Sequence, residues 1–249
     1  MLKDDPDSSW ETLARRDAYF GVLAEDKYSA DKLNANHRND FFLSGRDHID
    51  AVIGEIERRF GRIPRGSALD FGCGVGRLVI PLARAFDSVV GVDVSPSMID
   101  EAKRNCESAE LGNVEFVLSQ DDFAAHEGGY DFVNTYIVLM HIPTNRGMKI
   151  LGRLIDAVND GGAAAIQLLF ARETNLLVKA VAKIRRNFWP LHYAINILSG
   201  KEWNYPLMQM NHYNMNRVLA LLHKKGIRTL AVELSKRSTH QSATIMFKK

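Results

Sequence analysis

Hydrophobic positions along this chain follow two alternating patterns. Short apolar runs predict buried strands, and between them apolar residues recur at every third or fourth position, which predicts amphipathic helices. The alternation of these two patterns predicts an α/β fold with a doubly wound, mostly parallel sheet. The predicted strands cover residues 68–71, 88–94, 114–118, a segment that begins at 131, and 163–169, 227–234 and 242–247.

The N-terminal quarter of the chain carries helical patterns and no motif that points to chemistry. Residues 10–23 and 48–60 have helical spacing, and the segment at 40–46 predicts a loop between them. We therefore expect residues 1–66 to form an N-terminal helical layer that packs on the sheet.

Residues 67–249 are predicted to form the core domain. Within this domain, residues 171–212 interrupt the regular alternation and predict a helical insertion after the fifth strand. A glycine pair at 161–162 predicts the end of the preceding helix. Two further predicted helices begin near residues 78 and 95, and four others cover 150–158, 174–188, 191–198 and 216–226.

The most informative stretch is the glycine turn at 70–76 (DFGCGVG), which joins the first strand to the next helix. Glycines at alternate positions allow backbone angles that other residues avoid, and they remove side chains that would block a ligand. The helix that follows presents free N–H groups to the turn. The second strand then ends on Asp93, where a carboxylate in a βαβ unit faces the ribose of a bound nucleotide.

Together these motifs resemble those of the class I S-adenosylmethionine-dependent methyltransferases. The resemblance includes the turn at 70–76, the segment 91–98 (GVDVSPSM), and weaker matches at 121–123 (DDF) and 130–133 (YDFV). It covers the middle half of the chain and the final strands. It implies a seven-stranded Rossmann-like methyltransferase fold whose last two strands form an antiparallel edge hairpin, with S-adenosylmethionine as the cofactor.

The resemblance also implies which residues bind this cofactor. An acidic residue after the third strand is expected to accept a hydrogen bond from the adenine amino group, and the sequence does not choose between Asp121 and Asp122. The expected cofactor-binding residues are Asp70, Gly72, Cys73, Gly74, Gly76, Asp93, Val94, Ser95, Met98, Asp121, Asp122, Phe123, Thr135 and Tyr136. Phe42, Gly45 and His48 are candidates for a lid, because N-terminal helices of this family often close over the cofactor.

The segment after the fourth strand is expected to face the methyl acceptor. It reads NTYI at 134–137, and not the Asn/Asp-Pro-Pro-aromatic motif of enzymes that methylate base amino groups. His141 follows, and a neutral imidazole there suits a general base. The alternative is that His141 only caps the turn before Pro143, and His192 and His212 are weaker candidates for the base.

The insertion is the most aromatic part of the chain, and it is also basic. We expect it to form a lid over the acceptor, with plain packing as the alternative and binding to an anionic membrane surface as a third possibility. Its aromatic residues suggest an acceptor with a ring, and its cations suggest a carboxylate or phosphate. The residues that carry this argument are Lys179, Lys183, Arg185, Arg186, Phe188, Trp189, His192, Tyr193, Trp203, Tyr205, His212 and Tyr213.

Composition narrows the range of functions. The 32 basic and 30 acidic side chains give a net charge of +2, so no strong attraction to a polyanion is implied. The two cysteines form neither a disulfide framework nor a zinc motif. We see no signal sequence and no apolar run of membrane-spanning length, and therefore expect a cytoplasmic monomer or homodimer without a metal.

The leading functional prediction is methyl transfer to an oxygen or nitrogen of a small molecule, without nucleic acid as a partner. A nicotinamide-dependent oxidoreductase is one alternative, although it would need the third glycine one residue later and a Tyr-x-x-x-Lys dyad. A non-catalytic module that binds the cofactor is the other alternative.

Overall fold

The chain folds into one seven-stranded sheet with helices on both faces, which confirms the predicted architecture. The computed structural model describes residues 6–119, 129–174, 189–198, 202, 205–206 and 208–249. The helices are α1 (Pro6–Val22), α2 (Ala35–Phe60), α3 (Val79–Ala85), α4 (Pro96–Ser108), α5 (Thr144–Asp156), α6 (Trp189–Leu198) and α7 (Met215–Lys224). The strands are β1 (Ser67–Phe71), β2 (Ser88–Asp93), β3 (Val114–Leu118), β4 (Tyr130–Thr135), β5 (Val158–Arg172), β6 (Leu230–Arg237) and β7 (His240–Lys248).

The strand order is β3-β2-β1-β4-β5-β7-β6. The first five strands in chain order are parallel, and β7 runs antiparallel between β5 and β6. The order reverses between β1 and β4, and in open α/β sheets the crevice outside the carboxyl ends at such a point binds ligands. The topology thus places the ends of β1, β2 and β4 at one candidate site.

Two hydrophobic clusters, one on each face, hold the sheet between its helices. Ile150 and Leu154 of α5 pack on one face, and Ile49 and Ile56 of α2 pack on the other. Because both faces are covered, the central strands are apolar at consecutive positions, as is typical of parallel sheets.

A third cluster joins the N-terminal helices to α4. Tyr19 of α1 donates a hydrogen bond to Glu101 Oε1 at 2.7 Å, and its ring packs against Phe41 of α2. The helical path of α1 breaks at Asp17, where φ is −159° and ψ is 69°. The break leaves α1 as two short helical segments that both lie against the core.

The predicted loop at 40–46 is wrong, because this segment lies inside α2. The helix begins earlier than its apolar pattern indicates, after Asn34, whose side chain caps its first turn. Phe41 and Gly45 are buried one turn apart on the same face. A Cβ at Gly45 would lie 2.3 Å from the carbonyl oxygen of Arg77, so the glycine marks close packing and not a break in the helix.

Several predicted boundaries are also corrected. Helix α5 ends at Asp156, before the glycine pair at 161–162, and β5 begins at Val158, which pairs with Tyr130. An irregularity in the β4–β5 register accommodates the glycines within the strand. Strand β6 begins at Leu230, three residues later than predicted.

Further properties follow from the described residues alone. Their helices include none that is both long and apolar enough to cross a membrane. Cys73 and Cys106 are buried free thiols. No cluster of three or more potential metal ligands occurs in the part of the chain that the structure describes.

Candidate functional site

A cavity of about 820 Å³ opens at the carboxyl edge of the sheet, where β1, β2 and β4 end. Its floor includes Phe71 at the end of β1, the following Gly72, and Asp93 at the end of β2. This volume includes the open mouth of the cavity as well as its enclosed part. The cavity is therefore the candidate site that the strand order predicts.

The glycine turn forms one wall of this cavity with bare backbone. Gly72, Gly74 and Gly76 have φ of 78°, 52° and 85°, which lie in the left-handed region that favours glycine. A Cβ at Gly72 would lie 2.3 Å from Val138 Cγ2, and one at Gly74 would lie 2.6 Å from Val22 Cγ2. A larger residue at Gly72 or Gly74 would therefore clash with the side chain of Val138 or Val22, both of which line the same cavity.

Asp93 is held rigidly at the end of β2. Its two carboxylate oxygens accept hydrogen bonds from the backbone N–H of Gly74 at 2.9 Å and of Ser95 at 3.0 Å. Burial raises its pKa, and these backbone hydrogen bonds oppose that rise. A carboxylate has about four acceptor sites, so Asp93 retains lone pairs for hydroxyl groups of a ligand.

A second carboxylate, Asp70, lies buried behind the glycine turn. It accepts a hydrogen bond from Asn134 Nδ2 at 2.8 Å. Burial raises its pKa to about 6, although Asn134 and the nearby Arg77 both oppose the rise. Asn134 Oδ1, Thr135 Oγ1 and Arg77 Nε are buried without a hydrogen-bond partner in the described part of the chain. The end of β4 therefore carries buried polar atoms that are available for hydrogen bonds with a ligand.

The segment after β4 contains a strained backbone position. Ile137 has φ of 61°, which is unusual for a β-branched residue and marks local strain. The side chain of Gln167 on β5 accepts a hydrogen bond from Ile137 N at 3.1 Å. The preceding ring, Tyr136, packs on His48 with centroids 3.9 Å apart. These contacts fix the backbone where it crosses the cavity.

His141 faces the same cavity with a defined tautomer. Its Nδ1 lies 2.9 Å from the carbonyl oxygen of Gln209, so Nδ1 must carry the proton, since a carbonyl only accepts. Burial lowers the pKa of His141 to about 4, and the Gln209 contact opposes this only in part. Near neutral pH the ring is therefore uncharged, with a free lone pair on Nε2. The ring of Trp10 meets it edge-on at 4.9 Å.

Helix α1 covers the cavity. Asp7, Trp10 and Val22 line it from this side, and Arg146 of α5 lines it from the other. Arg146 Nη1 lies 2.9 Å from the Asp7 carboxylate, so an ion pair joins the cover to the core.

Glu11 forms a second attachment of α1, at the first turn of α4. Its carboxylate accepts hydrogen bonds from Ser95 Oγ at 2.7 Å, Ser97 N at 3.1 Å and Ser97 Oγ at 2.7 Å. Burial alone would raise the pKa of Glu11, but these hydrogen bonds and Arg15 outweigh it and hold the pKa at about 2. The negative charge also suits the positive end of the α4 dipole.

Comparison with known proteins identifies the domain. The family described as "Methyltransferase domain" matches residues 68–162, which include the glycine turn, Asp93 and the segment through β4. The chain contains a class I S-adenosylmethionine-dependent methyltransferase domain. S-adenosylmethionine is the cofactor of this class, so the family and cofactor predictions are confirmed.

Curated relatives match the methyltransferase domain over part of their length. The magnesium-protoporphyrin O-methyltransferase of Synechocystis sp. is 33% identical over 118 residues, which are 47% of this chain and 50% of that protein. The ribosomal protein L11 methyltransferase of Burkholderia vietnamiensis is 29% identical over 140 residues, which are 55% of this chain and 43% of that protein. The chain thus spans half or less of these relatives.

A solved structure matches nearly the whole fold. The magnesium protoporphyrin IX methyltransferase of Synechocystis PCC 6803, crystallised with S-adenosylhomocysteine, superposes with a TM-score of 0.64 and 22% identity. The superposition covers 98% of this chain and all of that one. At this identity the likeness establishes the fold.

The cavity of the methyltransferase domain fits its cofactor on structural grounds. The glycine turn presents backbone without side chains to the cavity, and Asp93 keeps acceptor sites for ribose hydroxyls. Asn134 Oδ1 and Thr135 Oγ1 remain buried without a partner in the described residues, close to the same edge of the sheet. Polar groups left in this state are expected to gain a partner when a ligand binds.

The predicted site residues fall into three groups. Those that line the cavity are Gly72, Gly74, Asp93, Val94, Met98, Tyr136 and His141. Five others lie next to these in the chain but do not line the cavity: Asp70, Cys73, Gly76, Ser95 and Thr135. The remainder lie outside the described residues, so their contacts with adenine stay predictions: Asp121, Asp122 and Phe123.

The cover of the cavity differs from the predicted lid. Phe42, Gly45 and His48 do not line the cavity and instead pack within the fold, whereas α1 supplies the cover. The sequence interpretation missed Asp7 and Trp10, which carry no motif. The basic residues Lys183, Arg185 and Arg186 lie outside the described residues, as does the side chain of His192.

Proposed function

We propose that this chain transfers a methyl group to an oxygen or nitrogen of a small-molecule acceptor that carries a ring or a negative charge. The observation that carries the proposal is that one cavity contains both the glycine turn with Asp93 and the neutral imidazole of His141. S-adenosylmethionine supplies an activated methyl group when bound. A site of this kind needs a cradle for the cofactor and, for a protonated acceptor, a base.

Each part of the cavity has a distinct task. The backbone of the glycine turn and the carboxylate of Asp93 hold the nucleoside. His141 accepts the proton of the acceptor at Nε2, while its Nδ1–H bond to Gln209 keeps the ring oriented. Helix α1 excludes water from above, with Trp10 beside the imidazole.

The lining of the cavity supports a small acceptor. Trp10 offers a ring surface within the same space, where the guanidinium of Arg146 is paired with Asp7. The relative from Synechocystis carries magnesium-protoporphyrin in its name, whereas the relative from Burkholderia vietnamiensis carries a ribosomal protein. The net charge of +2 gives no general attraction to RNA and therefore does not favour a nucleic-acid acceptor.

The test uses the purified protein with methyl-labelled S-adenosylmethionine. Separate reactions contain pooled aromatic carboxylic acids and phenols, total RNA, or ribosomal proteins. We expect label in the small-molecule fraction; label in RNA or protein alone would contradict the proposal.

A variant at the base separates catalysis from binding. His141→Asn keeps a donor toward Gln209 but lacks the basic nitrogen, so kcat should fall by roughly 10²-fold or more. The affinity for S-adenosylhomocysteine should stay within about twofold of wild type, because both proteins retain the glycine turn and Asp93. An unchanged kcat would show that His141 is not the base.

A further inference from the structure

A cationic cluster lies at the far end of the same sheet edge, where β5 ends and β7 begins. Arg172 and His240 are direct partners in the β5–β7 ladder. His240 Nδ1 lies 3.3 Å from His212 Nε2, and the two imidazole rings are stacked within 7° of parallel at 5.4 Å. We call Arg172, His212 and His240 the cationic cluster.

Two buried polar atoms at this cluster have no partner in the described residues. They are Arg172 Nε and Thr174 Oγ1, which lie two positions apart at the end of β5. A shielded N–H without an acceptor is costly, so a water or a ligand is expected to complete its hydrogen bonding. The guanidinium fork of Arg172 is suited to bind a planar acceptor with two oxygens.

The neighbouring acidic groups are engaged elsewhere. Glu173 is exposed, and its two oxygens accept hydrogen bonds from Lys236 and Gln241. Glu25 pairs with Arg237, which is the ladder partner of His240 on the β6 side. Neither carboxylate therefore neutralises Arg172.

The electrostatics of the cluster also favour an anion. Burial lowers the pKa of His240, and the charges of Arg172 and His212 lower it further. The imidazole of His240 is thus held largely neutral near pH 7, and Arg172 supplies about one positive charge. A single charge matches a carboxylate better than a doubly charged phosphate.

The segment that carries His212 also contacts the wall of the methyl-transfer cavity. His141 donates to the carbonyl of Gln209, and Asn211 N donates to the carbonyl of Met140 at 2.6 Å. Gln209 and His212 are three residues apart, so an extended chain separates them by at most about 10 Å. An acceptor of moderate size can span this distance.

We propose that the cationic cluster binds a carboxylate of the methyl acceptor, remote from the atom that is methylated. The inference rests on the proposed function for the identity of the ligand, but the anion site itself is testable without turnover. The carboxylate would accept hydrogen bonds from the Arg172 guanidinium and from the Nε2–H of His240. It would thereby set the orientation of the acceptor relative to His141.

The test follows the imidazole nitrogens of ¹⁵N-histidine-labelled protein by NMR while sodium benzoate or inorganic phosphate is added. Benzoate should shift the signals of His240 and His212 saturably and raise the pKa of His240. Arg172→Gln should weaken this binding by roughly tenfold or more. Arg228→Gln is the matched control, because Arg228 is exposed, contacts the carbonyl of His223 and lies at the opposite edge of the sheet.

Failure of the carboxylate site and failure of the proposed function give different experimental results. No saturable benzoate shift, an equal response in Arg172→Gln, or binding of phosphate alone would overturn the carboxylate site. The affinity of Arg172→Gln for S-adenosylhomocysteine should equal that of wild type, because Arg172 does not line the cofactor cavity. Failure of wild type to bind S-adenosylhomocysteine would instead contradict the proposed function, whatever the benzoate result.

Discussion

Replacing Glu11 with glutamine should loosen the cover of the active site without unfolding the core. Glu11 attaches α1 to the first turn of α4 by three hydrogen bonds to Ser95 and Ser97. The glutamine keeps the shape of the side chain but removes its charge and one acceptor oxygen. Helix α1 should then detach from α4 more often.

The size of this effect follows from the pKa of Glu11. A fall from 4.5 to about 2 corresponds to about 3 kcal/mol of stabilisation of the charged form. The carboxylate reaches solvent, where screening reduces such terms, and glutamine retains part of the hydrogen bonding. We therefore expect a loss of about 1–2 kcal/mol. The stabilisation is present above pH 4.5 and is lost as the pH falls through about 2.

Hydrogen exchange measured by mass spectrometry reports this opening directly. A loss of 1–2 kcal/mol predicts that amides in α1 exchange about 5- to 30-fold faster in Glu11→Gln, while those in β1 and β4 stay protected. Glu55→Gln is the matched control, because Glu55 also has a pKa of about 2 but pairs only with Arg58 and Arg59 on its own helix. Exchange in α1 that is equal in wild type and Glu11→Gln would refute the reasoning.

Two further predictions concern buried polar groups near the cavity. Gln167→Leu removes the acceptor for Ile137 N and should lower the free energy of unfolding by about 1–3 kcal/mol in urea denaturation. In an Ile137→Gly background, Gln167→Leu should cost less unfolding free energy, because glycine adopts φ of 61° without strain. An equal cost of Gln167→Leu in both backgrounds would argue against a strained turn. Asp70 has a pKa of about 6 when folded and 3.8 when unfolded, so the stability of wild type should fall by up to about 3 kcal/mol as pH rises through this interval. Asp70→Asn should lack this fall in urea titrations between pH 4 and 7.5, and parallel profiles would contradict the assignment.

The sheet could be predicted because the sequence patterns that define its strands are local. Apolar runs and the glycine turn define β1 and β2 within a short stretch of chain, and Asp93 follows directly from the same unit. The segment at 40–46 was misassigned because its helix buries Phe41 and Gly45 against distant residues, and a glycine between polar neighbours resembles a loop.

The resemblance implied a lid from the N-terminal helices, but the residues that form it could not be predicted because their contacts are remote in sequence. Glu11 meets Ser97 across 86 positions, and Asp7 meets Arg146 across 139. Neither pair forms a motif, so only the folded chain brings them together. Ile137 likewise gives no sequence signal, since a β-branched residue at positive φ is set by its surroundings and not by its own preference.

The most direct test of the account is calorimetric titration of the protein with S-adenosylhomocysteine. Wild type should bind it, and Asp93→Asn should bind at least about tenfold more weakly, because the neutral amide is a poorer acceptor for the ribose hydroxyls. Circular dichroism establishes that the variant is folded, and NAD serves as the control nucleotide. Equal affinity of wild type and Asp93→Asn for S-adenosylhomocysteine, or NAD binding in its place, would contradict the central claim that this cavity holds the methyl donor.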